Sequence, residues 1–226
     1  MLDIKERLNF IKSTLPKNVK LVAVSKFHPE EEIIKALEAG QTVFGENRIQ
    51  EAEKKFSSLK DKGYSFELHI IGSLQRNKIK QAVKIASMIQ SVDRIELLDE
   101  IEKQCAKIDK KIQILFEIHT GEESKAGFDS KGDIEIAFKN FENSLYPHII
   151  PRGFMTMAPF TEDKDLIRSA FRKLKMIQEE FSKKYPKYDL SELSMGMSSD
   201  YKIALEEGST MVRIGTAIFG ERNYQK

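Results

Sequence analysis

Residues 19–40 read VKLVAVSKFHPEEEIIKALEAG, and this stretch decides the fold. Its first part, residues 19–27, is a short apolar run of a length that suits a buried strand. Pro29 follows, with Glu30, Glu31 and Glu32 in the next turn and Gly40 after the last. Proline at a helix start sacrifices no hydrogen bond. Acidic side chains there complement the positive end of the helix dipole, and glycine closes the far end. The stretch is therefore a strand followed by a helix. No hairpin signal joins it to what comes next, which implies parallel strands linked by helices.

The same unit recurs along the chain. Residues 42–47 precede a helix over 48–59, and 65–74 precede one over 75–86. Residues 88–93 precede 96–108, where Leu97, Leu98, Ile101, Cys105 and Ile108 share the inward face. Residues 111–120 precede 133–145. Residues 149–158 precede a long helix over 164–185 with Leu166, Ile167, Phe171, Leu174, Ile177 and Phe181 facing in. Residues 193–198 precede 200–207, and the last run is 211–220. An opening helix carries Ile4, Leu8, Ile11 and Leu15 on one stripe. Eight strands predict closure into a (β/α)8 TIM barrel, and 226 residues lie near the lower end of that fold's usual length. No linker or composition shift divides the chain, so residues 1–226 read as a single domain. The longest loop falls at residues 121–132.

Composition narrows the function classes. The formal charge is +2, with both signs interspersed, so nothing points to nucleic acid or an anionic membrane. No run is long and apolar enough to span a bilayer. The amphipathic, acid-containing start is neither a signal nor a transit peptide. The one cysteine, Cys105, excludes an intrachain disulfide and reads as a buried structural thiol. The chain reads as cytoplasmic, and as a monomer because no long exposed apolar helix face stands out.

Barrel sites lie at the carboxyl ends of the strands. There the sequence offers Ser25–Lys26, Gly45 to Arg48, Asp93, His119, Met155 with Met157, Ser198–Ser199, and Arg213 to Thr216, with His69 in the third run. Lys26 closes the apolar run from Leu21 to Val24. Burial disfavours an ammonium, which suits a Schiff-base amine, although a lysine snorkelling out at a strand end is the plainer reading of this feature alone. Gly215 and Thr216, with Ser198 and Ser199, supply the small residues and hydroxyls of a phosphate cradle, or merely a tight strand exit and a helix cap. Arg213 lies two residues before Gly215 and points to the same side of the strand. It faces the same ligand or an interior carboxylate. His69 and His119 are lone histidines, and no metal-ligand spacing occurs.

Several ordered motifs carry a family resemblance over nearly the whole chain: LVAVSKFHP around Lys26, FGENRIQE from Phe44, HIIGSLQRNK from His69 and GEESKAGF from Gly121. RGFMTMAP from Arg152, LSMGMSSDY from Leu193 and STMVRIGTAIFGER from Ser209 complete it. The sequence resembles the pyridoxal phosphate homeostasis protein family, the YggS/PROSC group. The resemblance implies the alanine racemase N-terminal-domain fold, a fold-type III barrel for pyridoxal 5′-phosphate (PLP). It implies Lys26 as the Schiff-base lysine, Ser198, Gly215 and Thr216 as phosphate-binding positions, and Arg213 against the pyridine nitrogen. Asn47 and His69 resemble pocket-lining positions.

A guanidinium donates to the ring nitrogen without protonating it fully, which weakens the ring as an electron sink. Racemases of this fold also use a tyrosine from a separate C-terminal domain, and the chain ends at Lys226, soon after the eighth strand. The resemblance thus implies PLP buffering or delivery, with PLP-dependent apo-enzymes as partners, and no dedicated catalysis. Two alternatives stay open. A PLP-dependent amino-acid racemase needs a second acid–base group opposite Lys26, either Tyr201 or one contributed by another chain. A cofactor-free Schiff-base aldolase would leave Arg213 without a role.

Overall fold

The computed structural model describes residues 2–121, 127, 128 and 130–221. Helix α1 (Ile4–Thr14) precedes strand β1 (Lys20–Val24). Asp3 caps α1, and Asp3 and Glu6 bond each other's backbone N–H groups in a capping box. Seven more strands follow, each trailed by a helix: β2 (Val43–Glu46), β3 (Glu67–Ile70), β4 (Met88–Val92), β5 (Ile112–Glu117), β6 (Ile149–Met155), β7 (Glu192–Ser194) and β8 (Met211–Ile214). The helices are α2 (Glu30–Glu38), α3 (Ile49–Asp61), α4 (Ile79–Ile85), α5 (Ile95–Ala106), α6 (Lys131–Glu142), α7 (Lys164–Lys184), α8 (Tyr201–Glu206) and α9 (Thr216–Phe219). The strands run parallel in the order β1 to β8, and β1 pairs with β8, closing the barrel.

The unit read from residues 19–40 is present as β1 and α2. The boundaries tighten elsewhere. The run at 211–220 divides into β8 and α9, because the chain leaves the sheet at Gly215 and turns into helix at Thr216. The segment at 75–86 begins as a 3-10 turn, Arg76–Lys78, before α4. Met157 lies beyond β6. Leu166 and Ile108 are corrections to the inward faces. Leu166 is 54% exposed in the first turn of α7, and Ile108 is 45% exposed because α5 has already ended at Ala106.

Side chains alternate across each strand, so the barrel has two faces. Outward residues such as Ala23, Phe44, Leu68, Val212 and Ile214 pack against the helices, as do Ile114, Phe116 and Phe154 on the other side. Inward residues Val22, Val43, Met88, Leu115, Met155 and Met211 plug the barrel. They come from six strands. The remaining two, β3 and β7, place His69 and Ser194 inside instead, and both are buried. Strands β6 and β7 approach closely at Gly153, where a Cβ would stand 1.9 Å from the Glu192 carbonyl oxygen.

Candidate functional site

The mouth is built where strands β7, β8, β1 and β2 leave the sheet. Arg213 pairs in register with Val22, and the Arg213 N–H donates to the Gly196 carbonyl at 2.9 Å. Two residues further on, Gly215 packs on Val24 so closely that an added Cβ would lie 3.1 Å from the Val24 carbonyl oxygen. On the other flank of β1, the Ser25 N–H donates to the Gly45 carbonyl at 3.1 Å. Closure therefore sets the turn at Lys26 between the exit of β2, which leads to Asn47, and the exits of β7 and β8, which lead to Ser198 and to Gly215 and Thr216. Lys26 is half-buried rather than enclosed.

The Lys26 turn is held from behind. Phe27 sits at φ 66°, a left-handed conformation that costs a residue with a Cβ about 1 kcal/mol. Its N–H donates to Glu51 Oε1 at 3.0 Å, and the Arg48 guanidinium lies 4.5 Å above its ring. Buried Lys55 ties the turn together. Its Nζ donates to the carbonyls of Ser25 (3.0 Å) and His28 (3.2 Å), to Glu51 Oε1 (3.0 Å) and to Glu46 Oε1 (2.7 Å). The Ser25 hydroxyl donates to the same Glu46 oxygen at 2.7 Å. Burial pushes the Glu46 carboxyl above the usual range, against the pull of Lys55.

Arg213 lies on the floor of the mouth, 4% exposed. Its Nη1 donates to the Ser194 carbonyl (2.8 Å) and hydroxyl (2.6 Å), and its Nη2 to the Thr156 carbonyl (2.8 Å). A guanidinium has five N–H groups, so among the described residues Nε–H and one Nη2–H are left over for a ligand. Burial pulls its pKa down to about 10, opposed by Glu117 and Asp200, so the group is a cation at neutral pH. The Glu117 carboxyl is pushed up to about 7, by burial first and then by Asp93, with Arg213 acting the other way. Asp200 is also raised by burial, and its Oδ1 accepts the Met197 N–H at 2.5 Å.

Ser198 is half-buried and Thr216 exposed in the loop and first turn that rim this floor. Asn47 is packed hard against Gly72, where a Cβ would meet Asn47 Cβ at 2.6 Å. The buried Asn47 Oδ1 has no hydrogen-bond donor among the described residues. An orphaned acceptor on one side and spare guanidinium donors on the other fit a polar aromatic ligand that offers both a hydroxyl and a ring nitrogen.

Six of the seven sequence-derived residues, Lys26, Asn47, Ser198, Arg213, Gly215 and Thr216, thus belong to strand exits at one mouth. His69 does not open onto it. Its Nε2 lies 3.6 Å from Glu67 at the amino end of β3, and its charged neighbours are Glu67, Lys20 and Glu192, the first residues of their strands. The ring points down the barrel. Tyr201 lies outside the barrel, where its hydroxyl meets Thr14 of α1 at 3.2 Å. The other described tyrosines, Tyr64, Tyr146, Tyr185 and Tyr188, pack with the helix shell. The sequence reading missed Gln90, Glu117 and Ser194, polar residues at inward register positions within apolar strands. In the 121–128 motif, residues 122–126 lie outside the described residues.

The class of this closed barrel is given by a family model, that of the alanine racemase N-terminal domain, which matches residues 2–223. The chain is 42% identical over 207 residues to the pyridoxal phosphate homeostasis protein of Aquifex aeolicus, covering 91% of this chain and 88% of that one. It is 37% identical to the human protein of the same name, covering 92% and 78%. The chain belongs to the pyridoxal phosphate homeostasis protein family. Among solved structures, PipY of Synechococcus elongatus with PLP bound superposes with a TM-score of 0.89 at 35% identity, covering 96% of this chain and all of that one.

Proposed function

We propose that this chain binds PLP as a Schiff base on Lys26 and serves in PLP homeostasis, as a buffer or a delivery protein, without dedicated catalysis. The observation that carries this reading is the closed register. It sets the Lys26 turn beside Gly215 while Arg213, in register with Val22, keeps two N–H donors for a ligand. Lys26 would condense with the aldehyde of PLP and release water. Ser198, Gly215 and Thr216 would hold the phosphate with hydroxyl and backbone N–H donors. Arg213 would donate to the pyridine nitrogen, and Asn47 would accept from the ring hydroxyl through its orphaned Oδ1. Bound PLP supplies an electron sink, which a hydrogen-bonded rather than protonated ring nitrogen keeps weak. The named function of the Aquifex and human relatives and the PLP in PipY support the same reading.

The racemase alternative loses its in-chain candidate for the second acid–base group, because Tyr201 faces α1, and would need that group from another chain. The whole of residues 1–226 would form one PLP-binding domain, working as a monomer in the cytoplasm and handing PLP to apo-enzymes that need it. No helix among the described residues is long and apolar enough to cross a membrane. The test is to load the protein with PLP and follow deuterium exchange at Cα across a panel of amino acids. The reading expects a yellow protein with no exchange above free PLP. Rapid exchange of any one amino acid would replace it with an enzyme.

A further inference from the structure

A chain of buried polar groups crosses the barrel beneath the mouth, from β8 to β7 to β4 to β3. The Arg213 Nη1–H donates to Ser194 Oγ at 2.6 Å. The Ser194 hydroxyl donates to Gln90 Oε1 at 2.6 Å. Gln90 Nε2 meets His69 Nδ1 at 2.8 Å and Met211 Sδ at 3.1 Å. Gln90 and Ser194 are fully buried, and His69 is 1% exposed.

Chemistry fixes the direction of every link. A guanidinium can only donate, so Ser194 Oγ accepts from Arg213 and must send its own hydrogen elsewhere. Gln90 Oε1 is the acceptor that takes it. That leaves the Gln90 amide N–H facing His69, so His69 Nδ1 accepts and its ring proton sits on Nε2, toward Glu67 3.6 Å away. Burial disfavours the imidazolium, the same direction as an Nδ1 that accepts, with Glu67 acting the other way. All donors therefore run one way, from the arginine at the mouth to His69, whose Nε2 faces the Glu67 carboxylate at the barrel's amino end. Chains polarised in one sense strengthen each member.

We propose that Gln90 is a positioning residue for Arg213, acting through Ser194 in a one-way hydrogen-bond chain that ends at His69 and fixes which guanidinium edge faces the bound ring. This rests on the PLP reading of the mouth. Without Gln90 the Ser194 hydroxyl loses its acceptor and turns its hydrogen toward the guanidinium, opposing the bond that anchors it. The role of His69 is then to fix the Gln90 amide, one layer below the ligand.

The test uses the full-length protein and the variants Gln90→Leu and Ser194→Ala. Three quantities are read: the PLP dissociation constant, the pH midpoint of the visible band of the loaded protein, and the His69 tautomer from ring 15N shifts of the unloaded protein. Each variant is expected to weaken PLP binding about ten-fold and to move the band's midpoint. The double variant should lose no more than the larger single loss, because both residues act along one chain. Ser194→Ala removes few atoms and keeps the test open if Gln90→Leu does not fold. Parent-like dissociation constants and spectra in a folded variant would overturn the proposal, as would additive losses or an Nδ1-protonated His69. A parent that binds no PLP would sink the reading of the site instead, and the tautomer alone would then decide the chain's polarity.

Discussion

Glu117→Gln should flatten the pH dependence of stability by a predictable amount. Glu117 ends β5, 3% exposed, on the same floor as Arg213. Its carboxyl moves from an ordinary 4.5 in the unfolded chain to about 7 in the folded one. The folded protein thus binds this proton more tightly than the unfolded chain does. The stability that the proton contributes is fully present below about pH 4.5 and is lost as pH rises through about 7. At 1.36 kcal/mol per pKa unit, the loss above that point is about 3 kcal/mol. The attraction of Arg213 is already contained in the value. Glutamine keeps the shape and cannot ionise. About a quarter of that loss has already occurred at about pH 5, so urea unfolding of unloaded protein at about pH 5 and about pH 8.5 should show the variant gaining about 2.5 kcal/mol on the parent between the two. Glu46 and Asp200, also raised by burial, are present in both proteins and cancel in the difference. Parallel pH profiles would refute the reasoning, because Glu117 would then ionise as freely in the folded protein as in water.

Lys55→Met leaves Glu46 buried beside an uncompensated Glu51 and cuts the ties to the Ser25 and His28 carbonyls that bracket Lys26. Urea unfolding should show a loss of about 3 kcal/mol, limited because Glu46 can take up a proton, and the visible PLP band should form more slowly. Gly153→Ala drives a Cβ to 1.9 Å from the Glu192 carbonyl at a φ of 144°. The obstacle is backbone and cannot move aside, so thermal melts should report a loss of about 4 kcal/mol or no folded protein.

The barrel was legible because two periods recur without interruption. Apolar runs of strand length alternate with helical stripes such as Ile167, Phe171, Leu174 and Phe181, and both leave their mark in hydrophobicity. At the rim, Lys26, Gly215 and Thr216 stand out because they interrupt those runs where strands end, but a snorkelling lysine and a tight strand exit fit the same pattern, and only the family resemblance attaches roles to them. The interior polar groups do not stand out. Gln90, Ser194 and Glu117 sit among apolar neighbours, and hydrophobicity alone does not say which residue of a strand points inward. Register supplies that: counting alternate residues from Val22 through its partner Arg213, and from Met88 to Gln90, places them inside. His69 illustrates a further limit. Its inward position follows from the alternation, but whether its ring turns to the mouth or to the base depends on a rotamer that Gln90 and Glu67 select.

The most direct measurement loads the protein with PLP, reduces it with borohydride, digests it with trypsin and locates the modified lysine. Reduction turns the imine into a secondary amine that trypsin does not cleave beside. The account predicts one modified peptide spanning residues 21–35, with the cofactor on Lys26 and cleavage there blocked. PLP fixed to any other lysine, or protein that holds PLP with Lys26 unmodified, would contradict it.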